Sequence, residues 1–452
     1  MKISFVWALL AFSYGTSGCL LPEERESGGL KRVVRRGTST GTPIGTGDRF
    51  KGGATPPRGL GSQSKTFKTL LNVKEIKSGL KGLRKAYGIE TFSTPYKTYE
   101  GATVLGARVG GKGGDCKDVF RVFFNGNIHA RERGSMDNVL YFISDLLYAE
   151  KHKTGLKYGS KTYTNKQVKK ALSAGIVFIP LSNPDGVAYD QSTNSCWRKN
   201  RNPNKGQSPG VDLNRNFDFV WDFEKEFAAS AQDVASTSPS SEVYHGTKPF
   251  SEPETKNIKW VFDTYTEIRY FVDLHSFTGD VLYSWGSDEN QSKYPSMNFL
   301  NSTYDSVRGD LTDTPGKGKG YGEYTPKAEF DINVAAAKRM AEGLTAGGGE
   351  AYSAIPAAAL YPTSGASDDY SYSRHFADTS LNLVHGYTVE FGFGNEEATC
   401  PFYPTVDQYN SNIKATSAGF MELLLAAVDL GLGDKQTCPI KCKGKNGKPA
   451  KE

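Results

Sequence analysis

The sequence predicts an α/β fold: one large domain with a mixed, mostly parallel central sheet flanked by helices. Four short runs rich in β-branched and aromatic residues are typical of buried strands, and they lie at 119–124, 176–181, 268–274 and 387–391. Stretches with the apolar spacing of helices lie between and after these runs. Strands that alternate with helices favour a largely buried sheet that is covered on both faces.

A helix follows the first of these strands, and a sharp turn follows the second. After Ser135, apolar residues recur at the spacing of one helical face, at Val139, Phe142, Ile143, Leu146 and Leu147. The second run ends in the turn sequence Asn-Pro-Asp-Gly at 183–186. Further helices are predicted near 252–266, 331–347 and 408–430. Strand and helix signals therefore alternate along most of the chain, without an internal repeat.

The composition allows a large core and excludes several classes of protein. Of the 452 residues, 37% are hydrophobic and 12% are aromatic, which excludes a disordered chain. The formal net charge of +6 is small for this length and no RNA- or DNA-reading motif is present, so we expect no nucleic-acid partner. No segment after the N-terminus approaches twenty apolar residues, so we expect no membrane span.

The first 18 residues are typical of an export signal. Lys2 precedes an apolar run at 3–12, and small residues follow at 15–18. The run is too short to span a bilayer, so we expect a secreted, extracellular protein; an ordinary hydrophobic N-terminal helix is the alternative. Cys19 directly after this segment leaves a lipid-anchored form open, although the leucine that usually stands three residues before such a cysteine is missing.

Two further segments flank the predicted domain at 67–432. Residues 19–66 are rich in Gly and Arg without an apolar period, so we expect a flexible pro-segment or linker. This segment contains two dibasic pairs, and we expect the mature N-terminus to lie after Arg36 or within 37–66. A lysine-rich, cysteine-containing tail at 433–452 is predicted to be exposed.

The cysteines fit no zinc-finger spacing. They are Cys19, Cys116, Cys196, Cys400, Cys438 and Cys442. An oxidising compartment permits disulfides, but five cysteines remain if Cys19 is removed, so at least one would lack a partner within the chain. Their connectivity stays open at this point.

Several side chains suited to chemistry follow the predicted strands, where open α/β sheets gather their functional residues. His129 and Glu132 come after the first strand, and imidazole nitrogen and carboxylate oxygen are both zinc ligands. Such a pair alone is a weak signal because it occurs in many proteins by chance, but His275 at the end of the third strand offers a third ligand. Arg198 can bind a developing oxyanion, and Glu390 can act as a general base. A solvated arginine and an ordinary strand-end charge are the alternatives.

Seven motifs follow one another between residues 67 and 432. They are His-x-x-Glu, Asn-Pro-Asp-Gly, Trp-Arg-Lys, Val-Asp-x-Asn-Arg-Asn, a strand-end His-Ser, Tyr-Pro-x-x-Gly-x-Ser-Asp-Asp and a strand-end Glu. Together they make the chain resemble the carboxypeptidase A/B family of zinc metallocarboxypeptidases. The resemblance implies a monomeric enzyme that binds one zinc ion and hydrolyses the C-terminal peptide bond of peptides and proteins with a free C-terminus.

The resemblance also implies roles for individual residues. The zinc ligands are expected at His129, Glu132 and His275. Asp212 would orient His129 from behind. Glu390 would take a proton from the zinc-bound water, and Arg198, together with the zinc, would stabilise the oxyanion of the tetrahedral intermediate.

Substrate contacts follow from the same resemblance. The clamp on the terminal carboxylate is expected at Asn214, Arg215 and Tyr361. Arg131 would contact the substrate backbone further from the cut. Asp368, seven residues after Tyr361, would lie at the base of the pocket for the terminal side chain and favour Lys or Arg, because a buried carboxylate is costly to leave unpaired. Gly286 would leave room for that long side chain.

Alternatives and departures remain. Mixed or apolar specificity is the alternative for the pocket, with Asp368 turned to solvent or paired with Arg374. A catalytically inactive binding relative and a cell-wall peptide peptidase are alternatives for the function. The chain departs from the family in longer loops between the second and third zinc ligands. The family's disulfide between the Trp-Arg and Asn-Arg regions cannot form, because no cysteine follows Cys196 until Cys400. The segment before residue 67 is too short and too glycine-rich for the family's globular pro-domain.

Overall fold

The computed structural model of the protein describes residues 37–112 and 118–433. Within these ranges the strands are β1 (Glu90–Lys97), β2 (Thr103–Val109), β3 (Val122–Gly126), β4 (Leu156–Tyr158), β5 (Lys161–Tyr163), β6 (Ile176–Ile179), β7 (Tyr270–His275), β8 (Asp280–Tyr283), β9 (Asn290–Gln291), β10 (Glu323–Tyr324), β11 (Ser353–Pro356) and β12 (His385–Glu390). The α-helices are α1 (Val73–Tyr87), α2 (Ser135–His152), α3 (Asn165–Ser173), α4 (Pro184–Thr193), α5 (Phe223–Glu226), α6 (Pro253–Thr264), α7 (Lys327–Gly348), α8 (Ala357–Leu360), α9 (Ser367–Ala377) and α10 (Val406–Leu430).

Some sequence-based expectations fall outside the described residues. These are the export signal at 1–18, residues 19–36 with both dibasic pairs, and the tail beyond residue 433. The cysteines outside the described ranges are Cys19, Cys116, Cys438 and Cys442.

A mixed sheet forms the centre of the fold. In the described part of the chain it has eight strands in the order β1-β2-β6-β3-β7-β12-β8-β11. The pairs β6–β3, β3–β7, β7–β12 and β8–β11 are parallel, and the other three pairs are antiparallel. The predicted fold class, one α/β domain with a mixed and mostly parallel sheet, is therefore confirmed.

The four strands predicted from the sequence are the central ones, and helices cover them on both faces. Every residue of β3, β6, β7 and β12 is buried. Successive side chains of a strand point to opposite faces, so β3 contributes to two cores. Phe124 contacts Phe142 of α2 and Phe420 of α10, with ring centroids 6.0 Å and 4.6 Å away. Phe123 meets Phe262 of α6 on the other face, at 5.4 Å.

Four strands that the sequence did not predict, β1, β2, β8 and β11, lie towards the two edges of the sheet. Most residues of β1 and β11 are partly or fully exposed, so neither strand has a continuous apolar run. Pro95 within β1 also weakens the signal, because proline has no N–H to donate and is tolerated on edge strands. Half-buried edge strands therefore escape a search for apolar runs.

The two long helices α7 and α10 pack along each other below the sheet. Gly347 allows this close approach, because a Cβ atom there would lie 2.5 Å from the carbonyl oxygen of Lys414. The start of α10 is fixed by reciprocal hydrogen bonds between Thr405 and Gln408. Among the described residues, no helix combines the length and apolarity needed to cross a membrane.

Residues 37–66, which we call the N-terminal strap, are packed against the domain and are not the flexible linker that their composition indicates. Arg49 donates from Nε to Oε1 of Glu75 at 2.8 Å, which joins the strap to α1. The backbone N–H of Gly61 donates to Asp145 of α2 at 2.7 Å. A side chain at Gly61 would lie 2.4 Å from a buried aromatic ring. The small residues of this segment therefore permit close packing.

Candidate metal centre and active site

Three neighbouring parallel strands end at one edge of the sheet, and their last residues face each other. β7 and β12 pair in register, so that His275 and Glu390 are direct partners across the ladder. β3 lies on the other side of β7, with Gly126 opposite Leu274. His129 follows shortly after Gly126. Because the carboxyl ends of parallel strands share an edge, the backbone alone brings these side chains to one place.

His129, Glu132 and His275 form one cluster of potential metal ligands, whose atoms all lie within 4.8 Å of one another. Nδ1 of His129 lies 2.7 Å from Oε1 of Glu132, and Nδ1 of His275 lies 3.2 Å from Oε2 of Glu132. All three side chains are fully buried. Two imidazoles and one carboxylate are a ligand set of catalytic zinc sites, and they leave a coordination position open for water or substrate.

Carboxylates behind both imidazoles determine which nitrogen faces the cluster. Nε2 of His129 lies 3.0 Å from Asp212, and Nε2 of His275 lies 3.4 Å from Asp273. A carboxylate beside Nε2 favours a proton on that nitrogen, and each Nδ1 then presents a lone pair to the cluster. The two Nδ1 atoms are only 3.0 Å apart. Two lone pairs and a carboxylate at this range repel one another unless a cation lies among them, so the residues fit a zinc ion.

Asp273 is a site residue to which the sequence motifs assigned no role. Its Oδ1 accepts a hydrogen bond from Asn125 at 2.8 Å, and its Oδ2 accepts one from Ser367 at 2.5 Å. Both carboxylate oxygens are thus fixed behind His275. The sequence could have shown this role: Asp273 and His275 are two residues apart in a strand, and such residues lie on the same face.

Asp212 joins His129 to Arg198. Nε and Nη2 of Arg198 donate to Oδ2 of Asp212 at 3.1 Å and 2.9 Å, and both side chains are fully buried. Burial opposes ionisation of Asp212, but the charge of Arg198 and then the interaction with His129 outweigh it and hold the pKa of Asp212 well below its usual range. Asp212 therefore stays ionised, and it fixes the guanidinium and the imidazole together.

The residues expected to clamp a terminal carboxylate lie side by side. The guanidinium carbon of Arg215 lies 6.0 Å from the ring centre of Tyr361. Arg215 donates to the backbone carbonyls of Asn214 and Val234 at 2.8 Å and 2.7 Å. The side-chain oxygen of Asn214 accepts from the backbone N–H of Ser367 at 2.8 Å, at the start of α9. Asn214, one of the three expected carboxylate-binding residues, is therefore hydrogen-bonded directly to the helix that contains Asp368.

Asp368 and Asp369 both lie buried in the first turn of α9. The backbone N–H of Gly286 donates to the two carboxylate oxygens of Asp369 at 2.9 Å and 3.0 Å. A Cβ atom at Gly286 would lie 2.6 Å from Thr363 and 2.9 Å from Asp369. The space that a side chain at Gly286 would fill is thus taken by these two residues, and is not left for substrate as expected.

The carboxyl groups of both acidic residues are harder to ionise than usual. Burial raises the pKa of Asp368, and burial together with the charge of Asp368 raises the pKa of Asp369 well above its usual range. Arg374, considered above as a partner of Asp368, instead donates to Asp263 at 2.7 Å. Asp368 is also only 3% exposed, so it does not turn to solvent.

A disulfide joins two segments of the site that are distant in sequence. Cys196 and Cys400 are bonded, with their Cα atoms 5.5 Å apart. The bond links the segment just before Arg198 to the loop after β12. From that loop, the ring of Phe402 lies 4.4 Å from the guanidinium carbon of Arg131. Arg131 is fully buried against this loop.

We predict that the cluster holds one zinc ion per chain. His129→Ala removes one of three ligands, so bound zinc should fall from about one per chain to below about a tenth after dialysis. Elemental analysis by mass spectrometry measures this directly. His152→Ala, which changes an exposed histidine at the end of α2, is the matched control and should keep its zinc. A His129→Ala protein that retains a full zinc content would contradict the ligand assignment.

The chain is similar in sequence to curated carboxypeptidases. It is 29% identical over 288 residues to "Zinc carboxypeptidase A 1" of Drosophila melanogaster, which covers 63% of this chain and 54% of that protein. It is 31% identical over 192 residues to "Carboxypeptidase B" of Astacus astacus, which covers 42% of this chain and 55% of that protein. The chain thus spans about half the length of these relatives.

A solved structure shares the fold, and a family model matches most of the chain. The crystal structure of thrombin-activatable fibrinolysis inhibitor gives a TM-score of 0.60 over 81% of this chain and 77% of that chain, at 18% identity. At this identity the likeness concerns the fold alone. The family model described as "Zinc carboxypeptidase" matches residues 80–418, which include the whole cluster and Glu390. The chain therefore belongs to the zinc carboxypeptidase family.

Proposed function

We propose that the chain is a metallocarboxypeptidase that hydrolyses the last peptide bond of peptides and proteins. The observation that carries this proposal is the convergence of the His129–Glu132–His275 cluster with Glu390 at one edge of the sheet. Membership of the zinc carboxypeptidase family supports the identity of the metal.

Glu390 is the residue to which we assign proton transfer. It is 1% exposed, and its backbone pairs with that of His275, so the carboxylate and the cluster share one buried site. Zinc, when bound, supplies a Lewis acid that polarises a carbonyl group and lowers the pKa of water. Glu390 accepts a proton from the attacking water and delivers it to the nitrogen of the leaving amino acid.

Arg198 stabilises the negative charge that develops on the scissile carbonyl oxygen. A guanidinium keeps its charge at every working pH and donates in a fixed planar geometry. Asp212 holds this group on one side through two hydrogen bonds, so little reorganisation is needed during the reaction. The buried surroundings strengthen the interaction relative to water.

The restriction to chain ends comes from Asn214, Arg215 and Tyr361. A guanidinium and a phenol on one side of the site bind a free carboxylate, and an internal peptide bond has no such charge to offer. Arg131 binds the peptide backbone further from the cut.

The terminal side chain enters the pocket that contains Asp368, and we propose a preference for Lys and Arg. Two buried acids cost free energy when they ionise without a cation, and a substrate ammonium or guanidinium removes that cost. Mixed specificity is the alternative, because relatives of both the A and the B type match the chain.

We further propose that the protein is secreted and acts as a monomer outside the cell. The Cys196–Cys400 disulfide supports export, because such bonds persist in oxidising compartments. An inactive binding relative is the weaker alternative, because the ligands and the strand-end carboxylate are all present. A cell-wall peptidase is a further alternative.

The proton-transfer assignment predicts that Glu390→Gln keeps its zinc and lowers kcat by about a hundredfold to ten-thousandfold, because the amide cannot accept the proton. Zinc content and single-turnover kinetics are measured on the same sample. Glu267→Gln, at the opposite edge of the sheet, is the control and should remain fully active. Near wild-type turnover by the Glu390 variant would show that another group takes the proton.

The pocket assignment predicts that terminal Lys and Arg are released faster than Phe or Leu. Asp368→Ala should flatten or reverse this order by about 2 kcal/mol, roughly thirtyfold in relative kcat/KM. Asp378→Ala, at the exposed end of the same helix, should leave the order unchanged. If the wild-type enzyme releases Phe at least as readily as Arg and the Asp368 variant changes nothing, the pocket assignment is wrong while the carboxypeptidase proposal stands.

A further inference from the structure

The loop that follows β12, residues 391–404, forms part of the rim of the site, and we call it the rim loop. The N-terminal strap lies directly against it. The backbone N–H of Thr399 donates to the carbonyl of Ser39 at 2.7 Å. Both the backbone N–H and the hydroxyl of Thr42 donate to the carbonyl of Pro404, at 2.7 Å and 2.8 Å. The strap therefore holds the rim loop at an interior residue, Thr399, and at its last residue, Pro404.

Tyr403 in the rim loop joins this contact to the site. Its hydroxyl donates to Asp190 of α4 at 2.5 Å and accepts from the backbone N–H of Cys196 at 2.8 Å. Cys196 lies two residues before Arg198 and is also bonded to Cys400. One phenol thus connects the rim loop to the segment that carries the site arginine.

The same tyrosine supports the metal-ligand segment. The guanidinium carbon of Arg133, the residue after Glu132, lies 3.4 Å from the centre of the Tyr403 ring. Arg133 donates to the carboxylate of Asp190 at 2.9 Å and to the carbonyl of Thr40 in the strap at 3.3 Å. Arg133 and Asp190 form a buried ion pair. Removing a hydrogen-bond partner from either buried charge is therefore costly.

Phe402, next to Tyr403, transmits this arrangement to Arg131. Its ring lies 4.4 Å from the guanidinium carbon of Arg131 and 4.7 Å from the ring of Phe277, two residues after His275. A guanidinium over an aromatic face is attracted to it, and in a buried site that contact is strengthened. The direction of Arg131 therefore depends on where the rim loop holds Phe402.

We propose that Tyr403 and strap residues 39–42 are positioning residues for peptide binding: they fix the rim loop so that Phe402 orients Arg131 towards the substrate backbone. This inference rests on the proposed function, which assigns Arg131 to the substrate. It also means that the working enzyme retains the strap, so any processing cut lies before Ser39. The sequence places the mature N-terminus after Arg36 or within 37–66, and this inference restricts it to a position no later than Ser39.

Tyr403→Phe tests the inference because it keeps the ring and removes only the hydroxyl. Two substrates with the same C-terminal Arg and a free C-terminal carboxylate are compared. One is a hexapeptide long enough to reach Arg131, and the other is an N-terminally blocked dipeptide that is too short to do so. We expect KM for the hexapeptide to rise about tenfold with little change in kcat, and both constants for the dipeptide to stay within about twofold of wild type. The substitution removes only the hydrogen bond to the Asp190 carboxylate and the one from the Cys196 N–H.

Tyr163→Phe is the matched control. Tyr163 is buried and its hydroxyl also makes two hydrogen bonds, to Ala418 and Glu422, away from the site. This variant should lose a comparable amount of thermal stability, while KM and kcat for both substrates stay unchanged. The positioning role would be overturned if Tyr403→Phe lowers kcat/KM equally for both substrates, or lowers it for neither. A wild-type protein that cleaves neither substrate would instead overturn the proposed function and the inference with it.

Sequencing the N-terminus of the purified, active protein provides a readout that does not depend on kinetics. The inference requires that Ser39 and Thr42 are present in the active chain. An active enzyme that begins after residue 39 would overturn the role of the strap.

Discussion

His275 and Glu390 face each other across a parallel strand pair, and this register determines where the other groups of the site must lie. A shift of one residue between β7 and β12 would turn every side chain of one strand to the opposite face and separate the carboxylate from the cluster. The buried aromatic and aliphatic residues on both faces of the sheet oppose such a shift, because each face has its own core. The chemistry thus depends on the packing of the strands that carry it.

The second constraint is the amount of charge that the site buries. Glu132, Asp212, Asp273 and Arg198 are all fully buried together with two imidazoles. Each would be costly alone, and the structure offsets the cost by pairing: Arg198 with Asp212, and a carboxylate behind each imidazole. A cation held by His129, Glu132 and His275 would compensate the cluster itself. Metal binding and stability of this region are therefore expected to be linked.

The sequence predicted the parts of the molecule that have strong local signals. The central strands contain short runs rich in β-branched and aromatic residues. The ordered motifs placed His129, Glu132 and His275 together before any geometry was known. The edge strands were missed because half-buried strands have no such run. The N-terminal strap was misjudged because glycine indicates flexibility in sequence, whereas here it permits close contact. The Cys196–Cys400 pair was unreadable, since pairing across so long a separation depends on tertiary structure.

We propose that this site cuts only at a free C-terminus. The most direct measurement incubates the purified protein with two peptides of identical sequence, one with a free terminal carboxylate and one amidated, and follows their masses over time. We expect stepwise loss of single residues from the end of the free peptide, while the amidated peptide stays intact because it offers Asn214, Arg215 and Tyr361 no carboxylate to bind. Cleavage at internal bonds, or equal loss from both peptides, would contradict it.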